Sequence, residues 1–231
     1  MPRPASKARQ STTAGLARRR VRQVYRALLE AYGPQHWWPG ETPFEVMVGA
    51  VLTQNTAWTN VEKAIANLKA HDALDPVAIV RADPHRLAAW IKPSGYFNIK
   101  ARRLRNFCMW YLEQGGQEAL SGWDTERLRR GLLAVNGIGP ETADDILLYA
   151  FERPVFVIDA YTRRIFARLG LVSGTENYEE LRRFFERAVG PDAPVCNEYH
   201  ALIVHHGKHA CRTRPLCAEC CLGRICPAGL G

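Results

Sequence analysis

Apolar residues recur at i, i+3, i+4 and i+7 along most of the chain, and no useful run alternates with period 2, so the pattern predicts an all-α fold. Leu16, Val21, Val24, Tyr25, Leu28, Leu29 and Tyr32 mark an amphipathic helix ended by Gly33-Pro34. Residues 44–52 form a mainly apolar helix, and a polar break, Thr53-Gln54-Asn55-Thr56-Ala57-Trp58, separates it from a further amphipathic helix reaching about Ala70. Shorter recurrences over 76–80, 85–91 and 98–112, with Pro or Gly at the breaks, give more helix. Helices resume over 178–189 and 195–210, the last with Tyr199, Leu202, Ile203 and His206 on one face.

The stretch 128–166 organises the rest. Asp124 is placed to cap a helix whose apolar side is Leu128, Leu132 and Leu133. Asn136-Gly137-Ile138-Gly139-Pro140 breaks it, since glycine permits positive φ and Pro140 suits the first position of a new helix. Ala143, Ile146, Leu147 and Ala150 then share a buried face. A Gly-x-Gly turn ahead of a helix N-terminus leaves backbone N–H groups of Gly137, Ile138 and Gly139 facing outward, where they can bind a phosphate oxygen without reading sequence. The same turn also serves as an ordinary helix–helix connection. Residues 154–158 are a short apolar run, too brief for a helix, that delivers Asp159 to the start of the next helix, where an Asp is commonly a cap.

Charge narrows the partner. The chain has 231 residues, enough for one large core or two modest ones, and a formal net charge of +8, which suits a polyanion. Residues 1–20 read as a flexible basic arm grading into the first helix. Lys100, Arg102, Arg103 and Arg105 make another helix basic, either tracking phosphates or forming a solvated face. No apolar run approaches the ~20 residues of a membrane span, and the N-terminus has no signal-peptide core, so a cytoplasmic, nucleoid-associated protein is expected.

The C-terminus carries Cys211-x5-Cys217-x2-Cys220-x5-Cys226 among Arg and Pro residues. Such clustering in a cytoplasmic chain points to metal rather than disulfide. Zinc ribbons usually pair two Cys-x2-Cys units, whereas one such unit here has two outer cysteines, and Cys221 competes with Cys220 as a ligand. Cys108 and Cys196, alone in helices, read as core.

The run Val-Asn-Gly-Ile-Gly-Pro-Glu-Thr-Ala-Asp, followed by Val-Ile-Asp ending at Asp159, resembles the helix-hairpin-helix and catalytic-Asp signature of the endonuclease III superfamily of DNA glycosylases. Trp37-Trp38-Pro39, Leu52-Thr53-Gln54-Asn55-Thr56 and the Lys92–Ala101 segment resemble its 3-methyladenine branch. The resemblance implies a two-lobed fold: residues 34–150 as a helical barrel with the hairpin at about 124–151, and 21–33 plus 151–231 as a second helical domain with a cluster loop at 211–226. It implies that Trp37 and Trp58 sandwich a flipped base, with Trp38 and Pro39 shaping the pocket and Lys208 at its edge. A 3-methyladenine base is cationic, and an indole face attracts a cation by ~1–2 kcal/mol once water is excluded. Gln54 would fill the vacated stack and Tyr96 would wedge the opposite strand. Alternatively, Gln54 is a helix-terminating amide and Tyr96 a buried loop aromatic. The four spaced cysteines would hold a 4Fe-4S cluster, and Arg212, Arg214 and Arg224 would face phosphates. The first cysteine gap is one residue shorter than in endonuclease III itself, and many glycosylases of the 3-methyladenine branch lack the loop, so the chain mixes features of two branches.

Position 141 bears on the reaction. Bifunctional endonuclease III enzymes carry a Lys there that attacks the sugar, and Glu141 cannot form that imine, so water is the expected nucleophile. Glu141 also suits a helix's first turn, where the dipole favours an acid. Asp159 would stabilise positive charge on the deoxyribose as the base leaves. The expectation is a monomeric, monofunctional glycosylase acting on alkylated purines in double-stranded DNA and leaving an abasic site. The alternatives are a mismatch or oxidised-base glycosylase and a non-catalytic binder of damaged DNA.

Overall fold

The computed structural model describes residues 6–37 and 40–229, and the side chains of residues 15–37 and 40–229. Among the described residues there are helices and no strands, the all-α architecture that the apolar periodicity predicts. The chain divides into two compact units, Met1–Trp37 with Pro154–Gly231, and Trp38–Arg153. No helix among the described residues is long and apolar enough to cross a membrane.

The Trp38–Arg153 unit is built on α2 (Pro43–Leu52), buried from Glu45 to Leu52. Thr42 caps it by accepting from the Glu45 N–H, and Pro43 supplies the preset φ of a first turn. It packs against α3 (Trp58–Ala70) and α6 (Phe97–Glu113), and α6 in turn carries α4 (Pro76–Arg81), α5 (Pro84–Trp90) and α7 (Gly116–Ser121). Asp75 and Asp83 cap α4 and α5, each ahead of a proline. The unit closes with α8 (Thr125–Ala134) and α9 (Pro140–Asp145), the latter continuing as a π-helical turn over Ile146–Ala150. That turn is buried throughout, Leu148 and Tyr149 included.

Lys100 is not one of the exposed cations of α6: it is 1% exposed. Its Nζ donates to Leu52 O at 2.8 Å and to Ser94 O at 2.6 Å, so it caps the C-terminal end of α2. Burial, with Arg103 nearby, lowers its pKa to about 8. The unfolded chain keeps this proton to about pH 10.4 while the folded chain releases it from about 8, so folded stability rises with pH between the two. Lys100→Met strips two carbonyls of their donor and is expected to lose about 1–3 kcal/mol. Urea unfolding at rising pH checks it: the gap from wild type should widen above about pH 8.

The other unit comprises α1 (Ser6–Tyr32), α10 (Ala160–Arg168), α11 (Tyr178–Val189), α12 (Ala193–His209) and the cysteine loop. The basic segment expected to be a flexible arm is helical from Ser6, and Leu16, expected on its apolar side, is exposed. Residues 1–5 lie outside the described residues. Arg20 at the end of the segment and Arg22 just beyond it terminate other helices, donating to Leu169 O and Ala188 O respectively. The core is aromatic, with Phe156 stacked on Phe185 at 4.7 Å and Phe166 edge-on to the same ring at 4.6 Å. Tyr199 OH donates to Val21 O at 2.7 Å and fixes α12 to α1. Residues 155–158 are buried and extended, their backbone met by Glu186 at Phe156 N–H and by Tyr178 OH at Ile158 N–H.

Candidate functional site

Asp159 follows that extended segment and caps α10, its Oδ1 accepting from the Thr162 N–H at 2.6 Å. Its Oδ2 lies 3.6 Å from Nε2 of His200 on α12. Burial opposes the ionised carboxylate, but hydrogen bonding and charge from His200, together with Thr162, outweigh it and hold the group below the usual carboxylate range. The cap and the ionised acid are one residue. The ring of His200 stacks on Trp37, centroids 5.9 Å apart and planes 29° from parallel. Trp38 and Pro39 lie outside the described residues. Lys208 is exposed in the last turn of α12.

The cysteine loop closes on the same helices. Cys211, Cys217, Cys220 and Cys226 line a cavity of about 130 Å³ together with apolar side chains such as Ile165 and Leu222. Cys221 is outside that lining and exposed, its Sγ 3.7 Å from Tyr32 OH. Among the described residues no three His, Cys, Asp or Glu side chains converge on one metal position. Four thiols spread around a cavity suit a polyatomic iron-sulfur cluster better than a lone zinc, whose sulfurs must each come within ~2.3 Å of one centre. Arg168 donates to Cys211 Sγ at 3.2 Å and to the carbonyls of Arg212 and Thr213, and His206 Nε2 is 3.7 Å from Cys220 Sγ. Arg212, Arg214 and Arg224 are exposed.

In the Trp38–Arg153 unit the hairpin turn between α8 and α9 has the geometry its glycines require. Gly137 sits at φ +102°, and a Cβ there would stand 2.3 Å from Arg103 Cγ, so the position excludes any side chain. Ile138 departs from the expectation of outward amides: its N–H bonds Val135 O at 3.0 Å, and its side chain is buried. Gly139 is the extended cap of α9, and Glu141 is exposed in the first turn. Arg129 and Asp144 form a buried bidentate pair at 2.7 and 3.1 Å that ties α8 to α9.

Gln54 is tied to this hairpin. Its Nε2 donates to Gly137 O at 3.1 Å and Thr142 Oγ1 at 3.0 Å, and its Oε1 accepts from Arg103 Nη1. Tyr96 is not a buried loop aromatic: it is 69% exposed, in the left-handed region at φ +44°, immediately before α6. A large residue held there is strained, and such strain persists at functional positions. Trp58 opens α3 half-buried, its ring edge in the space that Gly49 leaves open.

A family profile described as "HhH-GPD superfamily base excision DNA repair protein" matches residues 48–191. The chain belongs to this superfamily. As an HhH-GPD protein it is a DNA glycosylase of the base excision repair class, as the hairpin and Asp159 motifs imply. It is 47% identical over 209 residues to a Methanocaldococcus jannaschii protein provisionally named a DNA repair glycosylase, covering 89% of this chain and 95% of that one. Endonuclease III of Thermotoga maritima is 30% identical, covering 80% and 82% of the two chains. The solved 3-methyladenine DNA glycosylase of Helicobacter pylori, bound to 1,N6-ethenoadenine, superposes with a TM-score of 0.70 at 31% identity over 84% of this chain and 97% of that one. An endonuclease III–DNA complex gives a TM-score of 0.80 at 20% identity, over 92% of this chain and 96% of that one, and shares the fold.

Sequence reasoning missed His200, Arg103 and the Arg129–Asp144 pair. His200 is one position off the apolar face of α12 that Tyr199, Leu202, Ile203 and His206 define, so periodicity gives it no signal. Arg129 and Asp144 carry no local signal, because only the folded hairpin brings them together.

Proposed function

We propose that this HhH-GPD protein is a monofunctional DNA glycosylase that hydrolyses the N-glycosidic bond of alkylated purines, chiefly 3-methyladenine, in duplex DNA and leaves an intact abasic site. The observation that carries the reading is a buried carboxylate, Asp159, held ionised beside a histidine that also stacks on Trp37. The 31% identity to the Helicobacter pylori 3-methyladenine enzyme supports the choice of base. Asp159 stabilises the positive charge that builds on deoxyribose as the base departs, and water completes the displacement. A cationic base is already a good leaving group, so the site needs no strong general acid.

In this reading Trp37, Trp38, Pro39, Trp58 and Lys208 are the residues that meet the base, an indole face attracting its cation by ~1–2 kcal/mol. Gln54 leaves the hairpin to occupy the vacated stack, and exposed Tyr96 wedges the other strand. The hairpin's glycine amides, those of Gly137 and Gly139, and the dipole of α9 hold a phosphate, and Arg212 and Arg214 contact others. Cys211, Cys217, Cys220 and Cys226 hold a 4Fe-4S cluster that folds the loop and fixes those arginines. The protein works as a monomer in the cytoplasm, on nucleoid DNA.

Glu141 makes the reading testable against a lyase. Borohydride treatment of the protein on abasic duplex should trap no covalent complex, because no imine forms at a carboxylate. A trapped complex running with the protein on a denaturing gel would contradict the monofunctional assignment.

A further inference from the structure

We propose that His200 is a positioning residue of this active site: one buried imidazole holds the free oxygen of Asp159 and backs the Trp37 ring, fixing the charge and the aromatic face together. The inference rests on the roles given above to Asp159 and Trp37.

The geometry assigns the two carboxylate oxygens to two different helices. Oδ1 is held by the Thr162 N–H of α10 at 2.6 Å, and Oδ2 faces His200 Nε2 of α12 at 3.6 Å. With the Thr162 contact alone the carboxylate could swing about its last torsion, which is soft for an Asp. Held from both sides, it keeps one orientation toward a developing cation, the preorganisation that gives an electrostatic group its effect. His200 is itself well fixed: it is 4% exposed, and the neighbouring Tyr199 anchors α12 through its bond to Val21 O. Its ring lies 29° from parallel with Trp37 at 5.9 Å, so the indole has a fixed support on that face. An imidazole as enclosed as His200 is costly to bury unless its nitrogens have work there. The depressed ionisation of Asp159, to which His200 contributes, agrees with the contact.

Two substitutions separate the two contacts. His200→Phe keeps a ring against Trp37 and removes the N–H, whereas His200→Gln keeps a donor of similar reach and removes the ring. On full-length protein with its cluster, single-turnover base release from duplex carrying 3-methyladenine should fall about 10- to 100-fold in His200→Phe, with duplex affinity unchanged. His200→Gln should restore most of that rate and instead raise KM about threefold or more, through a less ordered Trp37. Equal loss of rate in both variants, or a wild-type rate in His200→Phe, would overturn the proposal.

A second measurement does not require either variant to fold. The 15N resonance of His200 Nε2 should shift between wild type and Asp159→Asn, and an unchanged resonance would also overturn it. Asp159→Asn turnover separates this inference from the one beneath it. A fully active Asp159→Asn removes the assigned role of Asp159, while an inactive one beside a fully active His200→Phe removes only the role of His200.

Discussion

Asp159→Asn is expected to slow base release roughly 100- to 1,000-fold while leaving affinity for damaged duplex within about threefold. The substitution is nearly isosteric, and the new amide oxygen can still accept from the Thr162 N–H, so α10 keeps its cap. What is lost is the negative charge that the proposed mechanism sets against the sugar. A neutral amide offers a cationic transition state a small dipole where a full charge stood. Single-turnover release and gel-shift affinity, measured side by side with a thermal melt, check the three parts of this statement. Loss of affinity in proportion to rate would instead make Asp159 a binding or structural residue.

Cys220→Ser is expected to have the second-largest effect and Cys221→Ser almost none. Cys220 lines the cavity with Cys211, Cys217 and Cys226, and its neighbour does not. In the proposed cluster, losing one of the four thiolates would untie the loop from α10 and α12, where Arg164 and Arg168 hold it through Cys211 O and Cys211 Sγ. The change should cost more than about 4 kcal/mol, a fall in Tm of roughly 10 °C for a chain of this size. Iron content and visible absorbance of anaerobically purified protein should drop with Cys220→Ser and stay at the wild-type level with Cys221→Ser. The opposite pattern would assign the ligand to Cys221.

The helices were legible wherever the chain punctuates itself. The prolines at the breaks announce α4 and α5, Asp124 announces α8, and Gly137 through Pro140 announce the hairpin, because caps and turns depend on a few adjacent residues. The π-helical turn at Ile146–Ala150 was not legible, since its residues suit an ordinary α-helix equally well. Nor was α7, which follows two glycines that read as a break. Lys100 shows the same limit at one residue: a lysine in a basic helix reads as a surface charge until the carbonyl ends of Leu52 and Ser94 are placed around it. Asp159, the cysteines and the hairpin glycines were singled out as candidates because each stands in a local spacing that a single stretch of sequence displays. His200 belongs to the site only through a contact between α10 and α12, and no local pattern carries that.

A glycosylase that chooses a cationic purine and leaves the strand uncut is recognised by incubating the protein with duplex DNA carrying methylated purines, hypoxanthine, uracil mismatches and oxidised pyrimidines, and scoring free base and strand breaks separately. Release of 3-methyladenine from unbroken strands is the predicted result. Release of neutral lesions alone, or strand breaks that accompany base loss, would contradict it.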